Sequence, residues 1–229
     1  MQRLSGVALV ALGSALVVVA VNGDSLLYVR DTMTWPLIAA GVVVAALGFA
    51  GLVNALPIHH APRSIVLALA AALVVLVVRP GPLSVDTGFG YDLESGKVLT
   101  SFTIPASAMV GPGASAEAID AAAIELHAGQ FAFAVQQFPL EFEGVAVRMI
   151  GQFDVVDGQP TLVRFRVICC ASDAMRLSVR LAWEGETPEV AAWVEVIGQW
   201  DGNADEPSMA VRGWKEIPMP ERPYLDLGS

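Results

Sequence analysis

Leu162-Val163-Arg164-Phe165-Arg166-Val167-Ile168-Cys169-Cys170-Ala171-Ser172-Asp173 holds the only two cysteines of the chain, side by side, with a carboxylate three residues on. The stretch reads as a strand running into a turn. Alternate strand residues face opposite sides. Val163, Phe165, Val167 and Cys169 then share one face, which reads as the core face. Arg164, Arg166, Ile168 and Cys170 share the other. Adjacent cysteines in a regular strand point apart, so they grip one ion together only where the strand breaks, and Ala171-Ser172-Asp173 can supply that break. Cys170 is expected near Arg166, whose positive charge would lower a thiol pKa. Cys169 as a small core hydrophobe stands beside this as the plain reading.

Sequence on both sides of the stretch has a period of two. Val145, Val147 and Met149 alternate with Ala146, Arg148 and Ile150, and Gly151 interrupts as at a bend or bulge. Asp157-Gly158 is a hairpin signal. Met175, Leu177, Val179 and Leu181 alternate with Arg176, Ser178 and Arg180. Trp193 to Trp200 is a fourth strand, Asp201-Gly202-Asn203 a turn, and Ser208 to Ile217 a fifth strand. Asp201, Asp205 and Glu206 lack the spacing of a calcium loop and read as a solvated turn. Pro218, Pro220 and Pro223 keep the tail extended. Five closely spaced strands predict a small bent barrel, OB-like, over 143–229.

Upstream, residues 80–142 read as a linker with a helical segment. Ser115 is the expected N-cap, Ile119, Ala122, Ala123 and Leu126 follow at helical spacing, and Gly129 is the expected stop. His127 near that end reads as a surface or C-terminal residue.

Residues 1–79 differ in kind. The chain is 55% hydrophobic and 16% charged, with mean hydropathy +0.59, too apolar for an ordinary soluble domain. The excess precedes Pro80. Three spans are expected, at about 4–22, 36–56 and 63–79, against the ~20 apolar residues a crossing needs. Gly41, Ala45, Gly48 and Gly51 form a small-residue stripe on the second, suited to close helix packing. Tyr28 and Trp35 suit the membrane interface. His59-His60 lie in the loop before the third span and read as solvated. Arg3 and Arg63 fall on one side and Arg30 and Arg79 on the other, with the histidines tipping the N-terminus inward. Three spans then make a multi-pass protein of the cell membrane with an extracytoplasmic C-terminal domain.

The net charge of −10 belongs almost wholly to the part after Pro80 and argues against a nucleic-acid partner. The chain has no Walker loop, no GxGxxG after a strand, no GxSxG and no HExxH, so no enzymatic activity is expected.

From about Ile124 to Leu227 the chain resembles the C-terminal domain of the YcgQ-like membrane proteins, two-domain bacterial proteins described as permease subunits. The residues that carry the resemblance are Gly144, Val147 and Gly151, then Arg164-Phe165, then Cys169-Cys170-Ala171-Ser172-Asp173. Trp193-Val194-Glu195-Val196-Ile197-Gly198 and Pro220-Glu221-Arg222-Pro223-Tyr224 complete it. Some of those proteins carry His where Cys169 stands, and Cys and His are both zinc ligands. The resemblance implies a separate polytopic permease as partner. The expected function is that of an accessory permease subunit whose binding domain handles metal, with Cys169, Cys170 and Asp173 as candidate ligands, zinc as the metal, and a fourth donor such as water, a partner group or His127. The alternatives are a membrane-tethered thiol-redox protein using the two cysteines and a non-catalytic structural protein of the envelope.

Overall fold

The computed structural model describes residues 2–53, 83–85, 91–92, 104–111, 114–203 and 208–225. The expected third span and His59-His60 lie outside the described residues. The chain divides into two compact units, Met1–Pro82 with Cys169–Ala171, and Leu83–Ile168 with Ser172–Ser229.

In the first unit, helix α1 (Gln2–Val21) packs on helix α2 (Thr34–Leu52). The glycines set how closely. A Cβ on Gly48 would stand 2.7 Å from the Val10 nitrogen and 2.8 Å from the Gly6 oxygen, and one on Gly41 would stand 2.8 Å from the Gly13 oxygen. Gly6 faces Gly48 and Gly13 faces Gly41, so the helices run antiparallel. The expected stripe on α2 is the contact face, with Gly41, Gly48 and Gly51 buried. Its counterpart on α1, Gly6 and Gly13, was not foreseen. The segment Asp31–Leu52, 22 residues, is long and apolar enough to cross a membrane. At 1.5 Å per residue it spans about 33 Å, against about 30 Å of hydrocarbon. Only 17% of its most apolar window is buried within the chain, unlike a soluble core helix, and Val42, Val43, Leu47 and Phe49 point outward. Ser5–Val21 forms a shorter apolar helix.

The same unit contains a short antiparallel pairing. Val29 bridges Cys170. The Arg30 N–H donates to the Cys169 carbonyl at 3.2 Å, and the Ala171 N–H donates to the Tyr28 carbonyl at 2.7 Å.

The second unit is mostly sheet. Its strands are β1 (Tyr91–Asp92), β2 (Ile124–Glu125), β3 (Val147–Val156), β4 (Gln159–Arg166), β5 (Met175–Ala182), β6 (Trp193–Trp200) and β7 (Ser208–Glu216). The order is β1-β5-β4-β3-β6-β7, with β2 on β3 and a further pairing of β5 with β7. That last pairing is parallel and sets Leu181 opposite Met209. Asp157 and Gly158 take φ of 51° and 78°, the two positive values a two-residue hairpin needs. They set Gln159 opposite Val156. Strand β3 pairs with β6 over Val147–Gln152 and with β4 from Gln152 onward. Gly151 stands at that change of partner, where a Cβ would lie 2.6 Å from the Val163 oxygen. The register shift in the ladders falls at Ile197/Gly198 instead.

Both faces of β4 are covered. Leu162 joins the main apolar cluster with Met149, Phe153, Leu177 and Val196. Val163, Phe165 and Val167 pack in a smaller cluster with Ala174 and Tyr224. The alternation expected of β5 holds, with Leu177, Val179 and Leu181 buried.

The helical segment departs from expectation. Helix α3 (Ala116–Ala122) starts at the expected cap, where the Ser115 hydroxyl accepts from the Ala118 N–H at 3.3 Å. It ends before Gly129, because Ala123 is extended (φ −61°, ψ 128°). The chain then donates to β3, Ile124 N–H to the Ala146 carbonyl and Leu126 N–H to the Arg148 carbonyl, each at 3.0 Å. A second helix, α4 (Ala128–Gln137), begins at His127. The His127 Nδ1 accepts from the Gly129 and Gln130 N–H groups at 3.1 and 3.2 Å. Gln130 Oε1 accepts from the His127 N–H at 3.1 Å. His127 thus opens a helix and is buried, where a surface residue near a helix end was expected. Phe131, Val135 and Phe142, the last in the short helix α5 (Pro139–Phe142), belong to the cluster that β3 and β6 build. Residues 116–142 share the core with the strands rather than linking to it.

This cap predicts a graded loss. His127→Ala removes the acceptor for two N–H groups and lowers stability by about 1 kcal/mol. His127→Asn keeps a cap and recovers most of it. Urea unfolding followed by tryptophan fluorescence measures both; equal stability of all three proteins would refute the cap as a source of stability.

Candidate metal centre

Strand β4 stops pairing with β5 at Arg166, opposite Met175. The chain must reverse within Val167–Ala174, and the backbone groups released from the ladder need partners. One turn of 3-10 helix at Ala171–Asp173 makes the reversal. The Asp173 Oδ1 accepts from the Ile168 N–H at 2.8 Å and closes the loop on itself. This is the break that lets neighbouring cysteines converge. The two Sγ atoms lie 3.6 Å apart. One ligand atom from each of Cys169, Cys170 and Asp173 lies within 4.8 Å of the others.

The spacing can be tested against a metal. With Zn–S bonds of about 2.3 Å, a tetrahedral ion holds two sulfurs about 3.8 Å apart, whereas a linear two-coordinate ion would hold them about 4.6 Å apart. The observed 3.6 Å is an S–H···S hydrogen-bond contact, and it lies near the tetrahedral bite and well short of the linear one. Two thiolates and a carboxylate oxygen are zinc donors in chemical type as well.

Cys169 is exposed, and Cys170 and Asp173 are half-buried. Cys169 therefore does not continue the buried face of Val163, Phe165 and Val167. The alternation ends with the ladder at Arg166, and the residue three places later is free of strand parity. Arg166 is 5% exposed, and its backbone bridges Leu225 in parallel. His127 is not in the group of ligands, and its Nδ1 already serves the cap of α4.

Arg164 has a part that strand parity did not reveal. Its Nε donates to the Pro223 carbonyl at 3.0 Å, Nη1 to the Ile150 carbonyl at 3.2 Å, and Nη2 to the Arg222 carbonyl at 2.8 Å. The Trp193 ring lies 5.2 Å beneath the guanidinium. Burial lowers its pKa to about 10. The charged form therefore carries a folding penalty at every pH below about 10, a penalty that fades as pH rises through that value. The three carbonyls and the ring offset it. The tail that Arg164 holds brings Tyr224, whose hydroxyl accepts from the Leu83 N–H at 2.8 Å. Gln152 takes the Val85 N–H at 3.0 Å and donates to the Leu83 carbonyl at 3.2 Å.

A second group of charges borders a cleft of about 320 Å³ lined by Glu117, Asp120, Glu195, Trp214 and Lys215. Its charges answer one another. Arg148 pairs with Asp120 at 2.7 Å, and Lys215 with Glu195 at 2.9 Å. Glu117 is held below the usual carboxylate range by its own backbone N–H and by Ser115. Structure accounts for these groups without a ligand.

Residues 118–225 match the DUF1980 C-terminal domain. The match is a similarity over that part of the chain. It covers β2 to β7, the cysteine loop, Arg164, Trp193 and the tail as far as Leu225, and so takes in the residues on which the resemblance rested. No curated protein and no solved structure matches the chain.

Two substitutions separate the loop from its brace. Cys169→Ser changes an exposed side chain and shifts unfolding by less than about 0.5 kcal/mol. Arg164→Met strands three carbonyls in β3 and the tail and costs about 2 kcal/mol or more, since hydrogen bonds to a charged group are the stronger kind. Thermal unfolding at matched pH measures both; a larger effect at Cys169 than at Arg164 would restore the core reading of that cysteine.

Proposed function

We propose that this chain is a membrane-anchored accessory subunit of a separate polytopic permease, and that its C-terminal domain handles zinc at Cys169, Cys170 and Asp173. The observation that carries the reading is the convergence of three zinc-type donors within 4.8 Å at a sulfur spacing suited to a tetrahedral ion. The apolar helix Asp31–Leu52 supports membrane anchoring; in our reading three spans make the anchor multi-pass, and His59 and His60, tipping a nearly cancelled arginine balance toward an N-terminus inside, put the domain on the extracytoplasmic side. An anchor this small is too simple to form a pore alone, which motivates the permease partner, as does the YcgQ-like resemblance. We read the domain as an OB-like five-stranded barrel. The parallel pairing of β5 with β7, added to the run β5-β4-β3-β6-β7, supports that reading.

The test is metal content. Full-length chain purified in mild detergent, exchanged into metal-free buffer and given one equivalent of zinc is expected to retain about one ion per chain. Cys170→Ser and Asp173→Ala each lose most of it; Cys170→Ser does so with little change in the stability of the zinc-free protein, whereas Asp173→Ala also frees the Ile168 N–H. Wild type that retains none sinks the metal reading. Co-purification tests the partner: a chain that always runs alone, without a large membrane protein, removes the permease assignment.

A second reading has its own observation. Sulfurs 3.6 Å apart need to close to only about 2.05 Å to form a disulfide, so a thiol-redox role for Cys169 and Cys170 is the competitor. Alkylation and mass spectrometry across a series of redox buffers decides it. Thiols that alkylate fully under every condition eliminate that role.

A further inference from the structure

We infer that the Cys169–Asp173 loop is an exchange site, built to pass a soft divalent cation by ligand substitution to a thiolate or imidazole donor of another site, rather than a storage or structural site. The inference rests on the zinc reading above and adds what the site does with its ion.

Three features of the loop lead there. The first is donor count. The described residues bring three ligand atoms together, and a closed structural zinc site has four. Among the described residues, one coordination position is left for a donor from outside the group. The second is access. Cys169 is exposed and the other two ligands are half-buried, so an incoming group can reach the ion without unfolding the loop. The third is independence from the ion. The Asp173 to Ile168 hydrogen bond and the Arg166–Met175 pair fix the turn by protein contacts alone. Structural zinc sites differ here, because metal binding supplies their folding free energy and release unfolds them. A turn braced by these protein contacts does not depend on the ion for its shape, and so suits repeated loading and unloading.

The step balances without oxidant or reductant. The lone pair of an incoming thiolate or imidazole forms a bond to the ion as water, or the single Asp173 oxygen, leaves. A cysteine sulfur then departs as its bond to the ion breaks, and the released thiolate takes a proton from water. The other cysteine and whichever of water or Asp173 remains leave in the same way, each replaced by a further donor of the receiving site, and that completes the transfer. The ion stays divalent throughout.

The experiment uses full-length chain in detergent, loaded with zinc alone, and mixed by stopped flow with a chromophoric chelator in excess. Metal retention is measured first. The expected result is a transfer rate that rises in proportion to chelator concentration over a tenfold range. Asp173→Asn, which keeps a side-chain oxygen for the Ile168 N–H but not the charge on the ion, transfers about tenfold faster or more. Cobalt-loaded chain given millimolar imidazole shows a changed visible spectrum as the open position fills. A rate independent of chelator concentration, or a cobalt spectrum unmoved by imidazole, overturns the exchange inference while leaving the zinc site standing. A chain that retains no zinc overturns both.

Discussion

A β-strand that stops pairing leaves N–H and C=O groups that must find partners, and the candidate site is the local answer to that demand. β4 ends at Arg166. Two residues later the Ile168 N–H goes to the Asp173 carboxylate, and in the first unit the Cys169 carbonyl and Ala171 N–H go to Arg30 and Tyr28. With the backbone held at these points, the two cysteine side chains have little choice of direction. Had the ladder run on through Cys170, strand parity would have put the sulfurs on opposite faces. The convergence of the thiols is a consequence of where hydrogen bonding stops.

That stopping point is itself held from below. Arg164 spends its guanidinium on three carbonyls, two of them in the tail at Arg222 and Pro223. A buried charge is costly, and an aliphatic residue would avoid the cost. What the arginine supplies is geometry: one planar fork ties β4, β3 and the tail together at fixed angles. The tail then covers Val163, Phe165 and Val167 through Tyr224, on the face that the main cluster does not reach. Without that cover the last residues of β4 would have one face in water, and the loop would spring from a frayed strand.

Patterns with a short physical range were legible in the sequence. Strands β3 to β7, the Asp157-Gly158 turn, the Ser115 cap and the small-residue stripe of α2 each follow from a local residue pattern, whereas the two-residue strands β1 and β2 carry none. What escaped depends on partners far away. Helix α4 was missed because its N-cap is histidine, outside the usual Ser, Thr, Asp and Asn, and because Gly129 sits inside the helix rather than after it. The inward role of Arg164 was missed because the Val163, Phe165 and Val167 face was read as the core face, and the carbonyls of Arg222 and Pro223 that Arg164 meets lie nearly sixty residues away in the chain. Gly6 and Gly13 were passed over because α1 alone gives no sign of which side meets α2. For the site, the three residues were legible as a set, and the need for a break was legible too. The exposure of Cys169 was not, since it depends on the ladder ending three residues earlier.

Metal binding and disulfide formation at this loop exclude each other. Closing the sulfurs from 3.6 Å to about 2.05 Å consumes both thiolates and leaves Asp173 as the one remaining donor. On the proposed reading, the exposure of Cys169 that opens the site to exchange also opens it to oxidants, whereas a buried pair would be safe from both. A bound ion would protect the pair, because a coordinated thiolate has its lone pair engaged. The state of the loop is then set by which arrives first, a cation or an oxidant. The open coordination position that makes the ion easy to pass on also makes that protection brief. Two sulfurs side by side on a turn therefore form a site whose chemistry depends on what the surrounding compartment supplies, and the fold fixes only that both sulfurs point to the same place.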